Sequence, residues 1–250
     1  MPSTLALCLD APMQSWGTRS RGIRRDTATE PTKSGIVGML AAAWGKERDD
    51  TTTITKLAAL RLGIRVDREG IVERDYHTTQ NVPTTHGTGH RTVVSERYYL
   101  ADALFLIALS GDPTLLTTLR DALHRPRWPL FFGRRAFVSA RPLLTSGRPD
   151  EPLTGYGLMD STVEDVLETH PWLELSPRTR TVELAKTDPA DRMPLRTVVD
   201  CLANHPEAQV RQDVPRSFAQ HDRRFDTRTV REGYIPLTTE LITRGDARCS

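Results

Sequence analysis

Hydrophobic residues change their spacing several times along this chain, and each change marks an element. Leu5, Leu7 and Leu9 alternate with Ala6 and Cys8, which predicts a short buried strand over residues 4–9, ending at Asp10-Ala11-Pro12. Ile36, Val37, Met39, Leu40 and Ala43 then fall at helical spacing, with Gly45 as the C-cap. A second helical stretch over residues 53–60 leads to Leu62, Ile64 and Val66, which alternate with Arg61, Gly63 and Arg65 and so predict a strand with one basic face. Residues 104–109 are nearly all apolar, as a central strand requires, and the turn Ser110-Gly111-Asp112-Pro113 opens a helix carrying Leu115, Leu116, Leu119 and Leu123. Phe131-Phe132-Gly133-Arg134-Arg135 leads towards a further short strand.

Residues 68–101 interrupt this series. Extended flanks at 71–78 and 92–100 bracket a tip too polar to bury, so the segment reads as an inserted, projecting hairpin. The remaining order is strand-helix-strand, insertion, strand-helix-strand. That order predicts an α+β, ferredoxin-like or RRM-like sandwich over residues 1–145, with helices on one face of an antiparallel sheet. Beyond residue 145 the periodicity weakens. Strand candidates at 179–184, 196–199 and 229–235 are broken by Pro, Asp and Arg, so residues 146–250 are expected to form a small, irregular β-rich C-terminal region.

Composition narrows the class. The 250 residues are 38% hydrophobic and 26% charged, as in a soluble protein. No apolar run approaches the ~20 residues of a membrane span, which excludes a membrane-inserted role. The first ten residues lack a secretory signal pattern, so a cytoplasmic location is expected. Three cysteines lie far apart with no Cys-x-x-Cys, suggesting neither a disulfide framework nor zinc. A net charge of +2 does not itself announce nucleic acid, but its distribution does more. From Trp16 to Gly35, Arg19, Arg21, Arg24, Arg25 and Lys33 face only Asp26 and Glu30, a local excess of +3.

That basic, hydroxyl-rich loop runs straight into the first helix. A helix start leaves free N–H groups carrying partial positive charge; Thr32 or Ser34 can cap them, and Lys33 adds a full charge beside them. Phosphate is the natural guest, and an ordinary capped helix is the alternative. Pro31-Thr32-Lys33-Ser34-Gly35 has the elements of a Walker loop in the wrong order, which argues against a nucleotide triphosphatase. His86 and His90 sit in a Gly/Thr loop without a further ligand at metal spacing, so no metal or cofactor is implied. Tyr76-His77-Thr78 at the base of the hairpin fits three roles: a metal-independent endoribonuclease's acid and base, contacts to a splayed base, or packing. Binding is preferred over catalysis, because the sequence fixes no second His or Lys beside His77. Gly133-Arg134-Arg135 pairs a close backbone approach with two guanidiniums suited to phosphate, or forms a turn with solvated arginines. Trp16 is either a stacking platform or a core plug.

Together, residues 10–17, 31–40, 74–78, 97–103 and 132–135 resemble the CasD family of the RAMP superfamily, the Cas-five subunit of type I-E CRISPR Cascade. The resemblance covers residues 1–145 well and 214–230 less well. It implies a non-catalytic, RNA-binding subunit for antiviral defence that caps the 5′ handle of the crRNA. Its inserted hairpin would act as a thumb against the adjoining backbone subunit, and another surface would hold the large subunit, so that target DNA is met only through the complex. Carried over by position, the handle-contacting set is Trp16, Pro31, Thr32, Lys33, Ser34, Gly35, Tyr76, His77, Thr78, Gly133, Arg134 and Arg135, with Arg97 added. The basic loop contributes Arg19, Arg21 and Arg24. Because relatives of another subtype process precursor RNA themselves, an endoribonuclease using His77 and Tyr76 is the competing reading.

Overall fold

The computed structural model describes residues 3–18, 22–85, 87, 89–148 and 151–244. In chain order the strands and helices are β1 (Thr4–Asp10), β2 (Met13–Gln14), β3 (Arg24–Arg25), α1 (Lys33–Trp44), α2 (Thr51–Ala58), β4 (Arg61–Arg68), β5 (Ile71–Pro83), β6 (His90–Ala101), β7 (Leu104–Ser110), α3 (Pro113–His124), β8 (Gly157–Met159), α4 (Val163–Thr169), α5 (Pro177–Ala185), β9 (Leu195–Asp200), β10 (Gln209–Ala219), β11 (Asp222–Ile235) and α6 (Thr239–Thr243). Local chemistry explains several ends. Gly45 closes α1 in the left-handed conformation (φ 72°), while Asp50 and Asp112 cap α2 and α3 through the amides of Thr53 and Leu115.

The main sheet runs β10-β11-β9-β4-β7-β1-β8, and every neighbouring pair in it is antiparallel. Its members β8-β1-β7-β4 have the order of a ferredoxin-like fold. Two expectations change here. The fourth ferredoxin strand, β8, comes from beyond residue 145, and β9, β11 and β10 continue the same sheet. Through β8, β9, β10 and β11 the described part of the C-terminal region thus extends the main sheet rather than hanging from it. The segment at 179–184 is not a strand but the middle of α5, whose start is fixed by the Ser176 cap and Pro177 in the first turn. Its one buried side chain, Arg180, bonds the carbonyls of Glu174 and Ile242. The 131–135 run does not pass directly into a strand either; a turn stands there, closed by Phe137 N–H to Arg134 O at 2.8 Å.

Both sheet faces are covered. Leu5, Leu7, Leu9, Ile64, Phe105 and Ile107 pack under α1, α2 and α3 through Ile36, Leu40, Ile54, Leu57, Leu116 and Leu119. The opposite face, with Ala6, Cys8, Leu106 and Ala108, lies under Val163, Val166 and Leu167 of α4 and Leu173. Consequently the expected basic face of β4 is largely buried. Arg65 is fully enclosed, with Nε and Nη2 on the Asp67 carboxylate (2.6 and 2.9 Å) and the remaining N–H groups on the carbonyls of Leu167, His170 and Pro171. Asp67 in turn accepts the Leu173 N–H at 2.8 Å, and its carbonyl takes the Trp172 indole N–H at 3.0 Å. A buried charge survives only when paired and fully hydrogen-bonded, so this pair staples residues 167–173 to the sheet.

The inserted hairpin β5–β6 stands as a second, small sheet. At its base β2 pairs antiparallel with the end of β6, and β3 pairs parallel with its middle, setting Arg24 opposite Glu96 and Arg25 opposite Arg97. Almost every residue of β5 is exposed.

Two stability measurements check this packing. Asp67→Ala strands the Arg65 guanidinium and should cost about 3–5 kcal/mol in denaturant unfolding, whereas replacing both members with apolar residues of similar volume should recover most of it. Equal loss in the single and double variants would contradict the staple. Glu164 is held at a pKa of about 2, chiefly by its hydrogen bonds from Arg61, with burial opposing. Because the folded value is depressed, its contribution is present above the ordinary carboxylate range and is lost as pH falls towards about 2. Glu164→Gln should therefore flatten the acid limb of the stability curve below about pH 4.5; an unchanged limb would count against the Arg61 pairing.

Candidate nucleic-acid interface

The start of α1 was the expected phosphate seat, and the structure fills it from within. Thr32 caps the helix through the Gly35 amide (3.2 Å), and the Lys33 N–H donates to Asp213 Oδ2 at 2.7 Å. Lys33 Nζ meets Asp200 Oδ2 at 2.8 Å. Arg228 closes the group, with Nε and Nη2 on Asp213 (2.7 and 2.9 Å) and Nη1 on Asp200. Lys33 is only 7% exposed. Burial pushes the Asp213 carboxyl up, but the Arg228 hydrogen bonds and charge, with the Lys33 amide, leave it below the ordinary value. In this mostly buried quartet every cation is already matched by a carboxylate, which leaves no free charge for an external anion. Lys33 is thus a structural cation, and Pro31 and Thr32 are buried beside it. Ser34 stays half-buried with its Oγ 3.3 Å from Thr32 Oγ1.

Trp16 is resolved as a core plug, not a stacking platform. It is 2% exposed, its indole N–H donates to Gln14 Oε1 (3.2 Å), and its ring lies 5.9 Å from that of Phe132. Gly35 permits this contact, because a Cβ there would lie 2.8 Å from the indole. Trp16 therefore joins the start of α1 to the 132–135 turn without presenting a face to solvent.

Gly133 has φ +88°, and a Cβ there would come within 1.9 Å of the Ser15 carbonyl oxygen, so only glycine fits. The turn it makes lays Arg134 over the Phe137 ring (5.2 Å) and sends Nη2 to the Tyr98 carbonyl at 2.7 Å. Arg97 is held by the Ser95 hydroxyl (Nε to Oγ 3.2 Å), and Arg25 is its cross-strand partner. Burial first, then the charges of Arg97 and Arg25, lower the Arg134 pKa, with Asp75 opposing. Among the described residues none of these three guanidiniums is ion-paired to a carboxylate. A guanidinium does not shed its proton near neutral pH, so an incoming anion is what relieves such crowding. Arg135 extends the cluster on the exposed side. Arg24, on the same short strand as Arg25, pairs with Asp26 (3.0 Å) and lies 5.2 Å over the Tyr98 ring.

Arg25 is the member that sequence reasoning left out of the candidate set. Its signal was present in the Arg24-Arg25 run, but the parallel pairing of β3 with β6 is a long-range contact. Arg19 and Arg21 lie outside the described residues. Tyr76, His77 and Thr78 sit on exposed β5, opposite Glu96, Ser95 and Val94. As consecutive strand residues, Tyr76 and His77 project from opposite faces, which does not assemble an acid and a base around one ribose. Burial pushes the Cys8 thiol up to about 12, which makes it no nucleophile. Among the described residues no group of three His, Cys, Asp or Glu could hold a metal ion, and no helix is long and apolar enough to cross a membrane.

Comparison with known proteins identifies the family. Residues 4–231 match the family model described as CRISPR-associated protein (Cas_Cas5). CRISPR system Cascade subunit CasD of Escherichia coli (strain K12) is 34% identical over 158 residues, 57% of this chain and 70% of that protein. Among solved structures, a chain of a CRISPR RNA-guided surveillance complex shares 30% identity with a TM-score of 0.73 over 98% of both chains. A crystal structure of a Cas protein shares 34% identity with a TM-score of 0.66, over 93% of this chain and 95% of that one. With the family model matching residues 4–231 and a Cascade surveillance-complex chain aligning over 98% of both chains, this protein belongs to the CasD/Cas5 family of CRISPR-associated proteins.

Proposed function

We propose that the chain is a non-catalytic subunit of a type I-E Cascade surveillance complex that binds crRNA, gripping the backbone of its 5′ handle at the base of the β5–β6 hairpin. The observation that carries this reading is the gathering of Arg25, Arg97 and Arg134, none of them ion-paired among the described residues and with Asp75 the nearby opposing charge, on a chain related to a Cascade subunit. Arginine forks suit phosphate oxygens, and contacts to the backbone hold a strand whatever its sequence. Tyr98 beside Arg24 supplies an aromatic edge of the same site, in keeping with single-strand recognition by stacking and charge together.

The hairpin's exposed apolar residues, Ile71, Val72 and Tyr76, suit a surface that a neighbour covers in the assembly. The reading assigns that neighbour as the adjoining backbone subunit, places the large subunit on another surface, and lets target DNA be reached through the complex in the cytoplasm. Tyr76, His77 and Thr78 belong to this hairpin and contact handle or neighbour from there.

Salt dependence of crRNA binding by the assembled complex tests the site. Arg97→Ala and Arg134→Ala should each weaken binding and flatten the slope of log K against log salt by about 0.7, one single-strand phosphate contact apiece. Lys33→Gln should leave the slope unchanged. Full slopes in both arginine variants would overturn the reading. The endoribonuclease alternative has its own test: precursor RNA incubated with the chain in chelator should stay intact, and specific cleavage abolished by His77→Ala would establish catalysis instead.

A further inference from the structure

The basic loop before α1 is tied at its far end to strands more than 160 residues later. Glu30 bonds Arg196 of β9 (3.2 Å) and lies 3.6 Å from Arg211 of β10. Three residues on, the Lys33 amide and ammonium bond Asp213 of β10 and Asp200 at the end of β9, with Arg228 of β11 spanning both carboxylates. At its near end the loop is held to Trp16, through the Trp16 N–H on Thr27 Oγ1 (2.9 Å) and the Ala28 N–H on the Trp16 carbonyl (2.8 Å). Arg25 lies just before these anchors. The β3–β6 pairing sets Arg25 opposite Arg97, and the anchored 26–33 segment holds the end by which β3 leaves that pairing, so both contribute to its place beside Arg97 and Arg134.

We propose that Asp213 is a positioning residue for RNA binding: it occupies the anion seat at the start of α1 as an internal stand-in for phosphate, and so sets the loop that delivers Arg25 to the arginine cluster. Asp213 touches no RNA. With it, β10 and β11 become a brace for the binding site rather than a mere extension of the sheet. Removing the carboxylate frees the Lys33 amide and leaves Arg228 and Lys33 in excess over Asp200 alone, so the loop loses its single register while the arginines that meet RNA remain. The inference rests on the RNA-binding reading above.

The test is crRNA binding by the assembled complex across a salt series, together with the melting temperature of each variant. Asp213→Asn should lower affinity by about tenfold with the salt slope unchanged, since no phosphate contact is deleted. Asp213→Glu should keep most of the affinity. Val166→Ala, on the opposite face of the sheet, serves as the stability control: at a similar loss of melting temperature its affinity should stay that of the wild type. Wild-type affinity in Asp213→Asn, a slope flattened by one phosphate contact, or an equal affinity loss in the control would each overturn the proposal. If Asp213→Asn does not assemble, Arg228→Lys, which keeps the charge and loses the two-pronged grip, is read in the same way. Failure of the arginine variants to move the slope would instead overturn the RNA-binding reading itself.

Discussion

A carboxylate on the first turn of a helix organises this molecule. Asp213 accepts the Lys33 amide where α1 begins and, through Arg228, shares a cation with Asp200, which holds the Lys33 ammonium. Four charges from four parts of the chain, all of them mostly buried, cancel one another. The arrangement ties the N-terminal loop, the first helix and the last three strands into one piece. Unfilled, the same helix start would be an anion site; filled, it is a joint.

The contrast between this quartet and the arginine cluster at the hairpin base is what separates structure from function. Both gather cations. In the quartet each cation has a carboxylate within hydrogen-bonding distance, so the local charge is settled inside the protein. Around Arg134 lie the Arg97 and Arg25 guanidiniums, the Tyr98 carbonyl and the Phe137 ring, with Asp75 the nearby opposing charge and no ion pair to it among the described residues. Gly133, Phe137 and the β3–β6 pairing fix the backbone positions of this group, which lowers the ordering that would oppose the proposed binding. Its unsatisfied charge is the part of the molecule that looks outward.

How much of this was legible in the sequence differs by element. The alternation of Leu5, Leu7 and Leu9, the helical spacing from Ile36 to Ala43 and the extended flanks of the hairpin are local signals, and the fold returned them in place. The glycine-arginine turn was legible too, since a positive φ and paired arginines are local signals. What local reading could not supply were partnerships across the chain. Lys33 reads as a phosphate ligand until Asp200 and Asp213 arrive from the far end, and Arg65 reads as solvated until the 167–173 segment covers it. The same blindness set the boundary at residue 145: β8 is three residues long and has no period to detect, yet it completes the ferredoxin-like sheet. Likewise α5 carries exposed Val182 and Leu184 in a sequence that alternates like a strand, and only its Ser176-Pro177 start betrays a helix.

The proposed function divides the labour: the arginines at the hairpin base would meet RNA, and the start of α1 would not. A map of the assembled complex with guide RNA bound tests it most directly. The account predicts a backbone phosphate within hydrogen-bonding distance of Arg97 and Arg134 while Asp213 remains on the Lys33 amide. A phosphate seated at the first turn of α1, with Asp213 displaced from it, would contradict the account.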